Sequence, residues 1–265
     1  MLNLIRADLY KMRKSTAIKI LFAITTVCAI IMTIFAYLIP QGKISESYTG
    51  IGFLFSDINI MSILGAAVAG VFICGDFDNK TIHDAIASGC SRVAIICSKA
   101  ITFFIAIILL LLPYAIITGI ALLSGVKFGM GSVGVGFLNM LAIDSGTAFD
   151  VSSFFKMLAV MLTLILVYVA QLSLCVPLAL IFKKPVVVSV VYYAFTLLCA
   201  QLYGLGSASE GFKNIASYTP YGGTHTFLAL NAQAGDLGKA IIVSLVFIAV
   251  MIAVTYSVFR KSEIK

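Results

Sequence analysis

Six apolar runs dominate this chain, and each is about as long as a helix needs to cross a bilayer, roughly 20 residues. They are Ala17–Ile39, Ile58–Cys74, Ala100–Leu123, Phe154–Phe182, Val186–Leu205 and Leu237–Phe259. The second is short and rich in glycine and alanine. Only Lys183, Lys184 and Pro185 separate the fourth from the fifth, and the proline suits the first turn of the helix that follows. Composition points to lipid as the solvent. Of 265 residues, 61% are hydrophobic and 11% charged, where a soluble domain carries about 25% charged residues. So few polar side chains cannot cover a water-facing surface. The expected fold is therefore all-α, a single transmembrane domain over residues 1–265 with six membrane helices. The first run is about 23 residues long, beyond the core of a cleaved signal peptide, and no A-x-A-like cleavage site follows it. It is read as a retained span.

Lysine and arginine divide unevenly between the connections. Thirteen of the 18 fall on one side: Arg6, Lys11, Arg13, Lys14 and Lys19, then Lys80, Arg92 and Lys99, then Lys183 and Lys184, and finally Arg260, Lys261 and Lys265. The remaining five, Lys43, Lys127, Lys156, Lys213 and Lys239, fall on the other. The positive-inside rule makes the first side cytoplasmic, with both termini there. The net charge of +7 is thereby accounted for by topology, and no nucleic-acid partner is expected. Six cysteines, with no CxxC, suggest packing residues rather than a disulfide framework or a zinc site.

In residues 1–16, Leu2, Ile5, Leu9 and Met12 share one helical face, with Arg6, Lys11, Arg13 and Lys14 beside it. The pattern fits a helix lying in the membrane interface, or a simple basic topology anchor. The connection 75–99 carries a second short amphipathic pattern. Asp78 or Asn79 can cap a helix there. Ile82, Ala85 and Ile86 form its apolar face, His83, Asp84 and Ser88 its polar one, and Gly89 its stop. Such a helix either docks into a partner's groove or rests on the membrane.

Gly75, Asp76 and Phe77, then Thr81-Ile82, then Gly89, Ser91-Arg92 and Lys99 together resemble the first cytoplasmic loop of the type-2 ABC transporter permeases. These are bacterial export permeases such as those for bacitracin, lantibiotics and other antimicrobial peptides. The segment Arg6 with Asp8-Leu9-Tyr10-Lys11 is similar to that family's interfacial elbow helix. Where the family has an acidic residue after the Thr-Ile pair, this chain has His83-Asp84. The resemblance implies that Asp76, Phe77, Thr81, Ile82, His83, Ile86, Gly89, Ser91 and Arg92 form a coupling helix that docks on an ATPase subunit. It also implies a second permease subunit, as a homo- or heterodimer, in the bacterial cell membrane. In the family, the position of segment 206–236 holds short helices that dip back into the outer leaflet.

No catalytic motif is found. There is no P-loop, HExxH or GxSxG, so the chain is not expected to be an enzyme or to hold a cofactor or metal; ATP and magnesium would belong to the partner ATPase. A literal GxGxxG at Gly129–Gly134 lies in the glycine-rich connection 124–153, which reads as a flexible outer loop. The spans hold almost no ionisable side chains, which disfavours an ion-coupled carrier. Their polar and aromatic groups are Tyr168, Gln171, Ser173, Tyr192, Tyr193, Thr196, Gln201 and Tyr203. These either bond helix to helix or, for Tyr192, Tyr193, Thr196, Gln201 and Tyr203, line a pathway. In the second span, Gly65, Ala66, Ala69 and Gly70 allow close helix approach. The expected function is an exporter subunit moving an amphipathic peptide or lipid-like antibiotic. The alternative is a non-transporting sensor or immunity protein that binds a peptide at its outer loops.

Overall fold

A computed structural model describes residues 2–129, 134–144, 150–206 and 210–261. Everything regular in it is helical. In chain order the helices are α1 (Leu2–Lys14), α2 (Thr16–Leu38), α3 (Thr49–Leu54), α4 (Asp57–Ala69), α5 (Gly75–Asp78), α6 (Thr81–Ala87) and α7 (Arg92–Leu123). There follow α8 (Phe137–Asp144), α9 (Val151–Ser173), α10 (Cys175–Phe182), α11 (Pro185–Gly206), α12 (Glu210–Ala216), α13 (Gly223–Thr226) and α14 (Ala234–Lys261). A π-helical stretch, Gly70–Cys74, joins α4 to α5.

Six helical segments are long and apolar enough to cross a membrane: Thr16–Leu38, Thr49–Asp78, Arg92–Leu123, Val151–Phe182, Pro185–Leu202 and Ala234–Arg260. The chain is thus a multi-pass membrane protein. Three boundaries differ from those expected. The second span begins at Thr49, well before Ile58, because α3 leads into α4, whose cap Ser56 is extended and whose first turn holds Asp57, where a carboxylate suits the helix dipole. The third begins at Arg92, so Lys99 lies inside a helix rather than at its start. The fourth is interrupted at Leu174. Pro177 supplies no N–H, and its ring crowds the carbonyl four residues back, at Ser173.

The break between α10 and α11 follows the expectation. Lys183 takes a left-handed conformation at φ 53° and Pro185 opens the next helix. α7 is the central helix, packing on α1, α2, α4, α8, α9 and α14. Phe103, Ile107, Leu110 and Leu111 are fully buried along it. α11 and α14 lie at the periphery, with only 11% of the residues in each apolar window buried.

The connection 124–153 is not a flexible loop throughout. α8 packs Phe137, Leu138, Met140 and Leu141 at 0% exposure, and these apolar side chains give it a reason to bury. The Gly129–Gly134 motif lies partly outside the described residues. Gly129 donates its N–H to the Ala36 carbonyl at 2.8 Å. All six cysteines are free, and Cys28, Cys74 and Cys175 are buried.

Candidate functional site

At the end of the bundle that carries α1, three elements converge on one carboxylate. Asp76, on α5, is 1% exposed. Lys11 of α1 reaches its Oδ1 at 2.5 Å and Lys99 of α7 reaches its Oδ2 at 2.5 Å. Lys99 also meets Asp8 Oδ1 at 2.5 Å, and the Ser98 hydroxyl donates to Asp8 Oδ2 at 2.9 Å. Asp8 and Lys11 stand three residues apart, on one face of α1. The result is an alternating chain, Lys11, Asp76, Lys99, Asp8, that ties α1 to α5 and α7. A carboxylate this buried is tolerable because two ammonium groups face it.

Beyond Asp76 the chain turns into α6. The Thr81 hydroxyl donates to the Asp76 carbonyl at 3.2 Å. Neither Asp78 nor Asn79 caps α6, contrary to the sequence expectation. Asn79 Nδ2 instead donates back to the Gly75 carbonyl at 2.7 Å, and Lys80, left-handed at φ 57°, takes the cap position without a side-chain bond. The C-terminus is as expected. Gly89 stands at φ 81°, its N–H meets the Ile86 carbonyl at 2.9 Å, and the Cys90 N–H meets Ala85 at 3.1 Å. That is a Schellman stop, and the left-handed backbone is why glycine occupies it.

The residues proposed for coupling divide by burial. Asp76 and Ile82 are buried; Phe77, His83 and Ile86 are half-buried; Thr81, Gly89, Ser91 and Arg92 are exposed. The apolar face of α6 therefore packs on its own protein, while Thr81, Asp84 and Ser88 remain open. Ser91 caps α7, accepting from the Ala94 N–H at 3.2 Å. Arg92 donates to the carbonyls of Phe259 and Arg260, at 3.3 and 3.0 Å, and so satisfies the C-terminus of α14. Lys183 lies over the Phe77 ring at 5.1 Å. A cavity of about 380 Å³ separates α1, α6 and α7, with Ala7, Lys11, Ile82 and Ser98 on its wall.

A second set of groups meets deeper in the bundle, where the connection between α11 and α14 folds inward. Tyr221 is its hub. Its hydroxyl donates to the Gln171 carbonyl at 2.6 Å, and Gln171 Nε2 donates to the Pro220 carbonyl at 2.8 Å. The Gln171 carbonyl is available because the helix breaks at Leu174. Tyr192 hydrogen-bonds to Tyr221, whose ring meets Phe195 and Phe247 edge-on at 5.2 and 5.9 Å. Gln171 lies eleven residues from Phe182, about 16 Å along the helix. That is about half of a hydrocarbon layer roughly 30 Å thick. Backbone at that depth must be enclosed by protein. Pro220, Gly222, His225, Thr226, Leu228 and Ala229 are accordingly buried.

Between this strap and helices α4, α9 and α11 lies a cavity of about 210 Å³. Of the pathway candidates, Tyr192 and Thr196 line it, together with Tyr168 and Gln171. Tyr193 and Gln201 do not. Tyr203 is on α11, but its side chain lies outside the described residues. Behind the cavity wall the Tyr168 hydroxyl and the Phe137 N–H both bond to Asp57 Oδ2, the latter at 3.1 Å. Asp57 is 0% exposed, a carboxylate inside a span whose start the hydropathy pattern placed one residue too late to include it. Gly136, at φ 63°, sits against this pair, and a Cβ there would overlap both Asp57 and Tyr168. Further along the strap, Asp144 Oδ2 accepts from the Leu230 N–H at 2.8 Å. Burial pushes the Asp144 carboxyl above its ordinary range, against the pull of that amide.

Sequence reasoning missed Tyr221, the pairing of Asp8 with α7 and of Lys11 with α5, and Asp57. The Tyr-Thr-Pro-Tyr-Gly-Gly run at 218–223 was the available signal for the first. No protein-family model matches the chain, and no curated protein matches it.

Proposed function

We propose that this chain is the membrane-spanning subunit of an ATP-binding-cassette exporter in a bacterial plasma membrane, with both termini cytoplasmic. It would work as a homo- or heterodimer on two separate ATPase subunits, which would hold the ATP and magnesium. The observation that carries the reading is the mounting of α6. Its polar rim, Thr81, Asp84 and Ser88, is open, while its base is fastened to α1 and α7 through a buried carboxylate. A short helix with a free face and a rigid base suits a lever, because force applied to the rim cannot be lost at the joint. The resemblance of Asp76–Arg92 to the coupling loop of type-2 permeases supports the same reading.

Motion of the rim would pass through α5 and the π-helical stretch into α4, which runs without a break to the cavity wall at Ile58, Met61 and Ser62. π-helical turns are local rewindings that cluster at functional positions. The strap around Tyr221 would close the cavity on the far side. An amphipathic peptide or lipid-like antibiotic fits walls without charge.

The test is purification of the tagged chain from its native membrane, with ATP hydrolysis measured for the intact chain and for Asp84→Lys. Asp84 is exposed and makes no side-chain bond among the described residues, so its reversal leaves the joint intact, whereas changing Arg92 would also unseat α14. Co-purification of a nucleotide-hydrolysing partner, weakened or uncoupled by Asp84→Lys, is the expected result. Recovery of the intact chain without any such partner would overturn the proposal and favour a sensor or immunity role.

A further inference from the structure

The exposed wall of the cavity beneath the strap is mostly apolar, and four of its hydroxyls already spend their protons within the fold. The hydroxyls of Ser62, Tyr168, Thr196 and Tyr221 donate to Ile58, Asp57, Tyr193 and Gln171 respectively. No charged side chain among the described residues lines it, and the rest of the wall includes Ile58, Met61 and Leu172 beside Gln171, Tyr192 and Thr226. A buried water needs two to four polar partners, and an apolar cavity of about 150 Å³ stays dry but takes benzene. This one is larger, at about 210 Å³. An empty void forfeits the dispersion contacts of its lining. The cavity also borders an open side of the bundle: Ala200 on α11 and Phe227 beyond α13 both line it and both are exposed. Leu197, Leu198 and Leu202 of the same helix are exposed as well, an apolar face suited to bilayer hydrocarbon.

We infer that this cavity holds a single hydrocarbon tail, acyl or isoprenoid, that enters between Ala200 and Phe227. A tail needs no donor and no charge, and it restores the contacts the void lacks. The tail can belong to a resident membrane lipid or to a lipid-tailed cargo, since both present the same chemistry to the wall. The inference does not depend on an ATPase partner, and its test uses none.

The full chain is reconstituted in phosphatidylethanolamine and phosphatidylglycerol vesicles. In one arm the vesicles contain phosphatidylglycerol with a diazirine in its tail; in the other, a diazirine-acylated peptide is added from outside. After illumination, the adducts are mapped by mass spectrometry. Met61 and Leu172 are the diagnostic positions. Each is 1% exposed, so bulk lipid cannot touch them except through the cavity. Leu198, 62% exposed on α11, reports ordinary lipid contact. Adducts on Met61 and Leu172 are expected. Ala200→Phe, which narrows the mouth, should reduce them about tenfold, equivalent to about 1.4 kcal/mol, and leave Leu198 labelling unchanged. Cys199→Leu, which fills the cavity from its lining, should act the same way and serves as a second variant should the first not fold. Labelling in the phospholipid arm identifies a resident lipid; labelling in the acyl-peptide arm alone identifies a lipid-tailed cargo. If neither arm marks Met61 or Leu172, or if both filling variants leave their labelling unchanged, the cavity does not hold a tail.

Discussion

Asp76, Lys99, Asp8 and Lys11 form one chain of charges, but their surroundings rank their importance. The Asp76 side chain is 2% exposed and Lys99 16%, whereas Lys11 is 42% exposed. Lys99 serves two carboxylates, so Lys99→Met leaves Asp8 with no ammonium and the buried Asp76 with Lys11 alone, at a cost of about 3–5 kcal/mol. Asp76→Asn keeps an acceptor toward the lysines and leaves Lys99 on Asp8, so it should cost less, about 2–3 kcal/mol. Lys11→Met removes a half-solvated partner and should cost about 1 kcal/mol or less. Unfolding of the three variants in detergent checks this order. A Lys11→Met cost equal to that of Lys99→Met would show that the ammonium of Lys99 is not the centre of the joint. Part of this was legible in the sequence. Asp76 and the Asp8–Lys11 segment stood out as motif residues, but nothing in a linear pattern says that residues 65 and 91 positions apart share a salt bridge. Asp57 was missed for a related reason. Hydropathy marks where a run turns polar, and a buried aspartate at a helix start looks the same as a loop aspartate.

Helices α4, α9 and α11 bracket the cavity, and small residues set how closely they approach. Gly65 faces Leu172, where an added Cβ would stand 2.6 Å from a side-chain methyl. Gly70 faces Pro185, where an added Cβ would stand 2.7 Å from the ring Cβ and 3.0 Å from the backbone Cα. The distances are similar but the neighbours are not. A leucine end can rotate away, whereas a proline at the first turn of α11 cannot. Gly70→Ala should therefore destabilise by about 2–3 kcal/mol and Gly65→Ala by about 1 kcal/mol, as read from thermal unfolding of the two variants side by side. If Gly65→Ala were the more damaging, the α4–α11 contact would not be the rigid one. Gly65 and Gly70 were recognisable as close-approach residues from their spacing, and Lys183–Pro185 as a helix break. Spacing could not say what they approach, since partner choice is fixed by the whole bundle. α8 escaped for another reason. Runs of eight residues or fewer carry too little periodicity to distinguish a packed helix from a loop.

At the scale of the molecule, six segments long enough to cross place α1 and the end of α14 on one side of the bundle, and the contact of Arg92 with Phe259 and Arg260 joins the α7 start to the α14 end there. The α1 joint, Lys80, Lys183 and Lys184 share that side. The opposite end carries Lys43, Lys127, Lys156 and Lys239 among the described residues. Basic residues near span ends are held back on the cytoplasmic side during insertion, so the α1 end should face the cytoplasm. Single cysteines at exposed positions test this. Ser88→Cys reports the α6 end, and Ser47→Cys and Asn231→Cys report the other. Cys90, Cys97 and Cys199 are replaced by serine first, because they are partly exposed, whereas buried Cys28, Cys74 and Cys175 are shielded. In intact cells an impermeant maleimide should label the cysteines at 47 and 231 and reach the one at 88 only after permeabilisation. The reverse pattern would put α6 outside the cell, where no ATPase could press on its polar rim, and the α6 lever would have nothing to transmit. The two faces of the molecule are therefore tied to one charge asymmetry, and a single labelling pattern tests the orientation together with the coupling that depends on it.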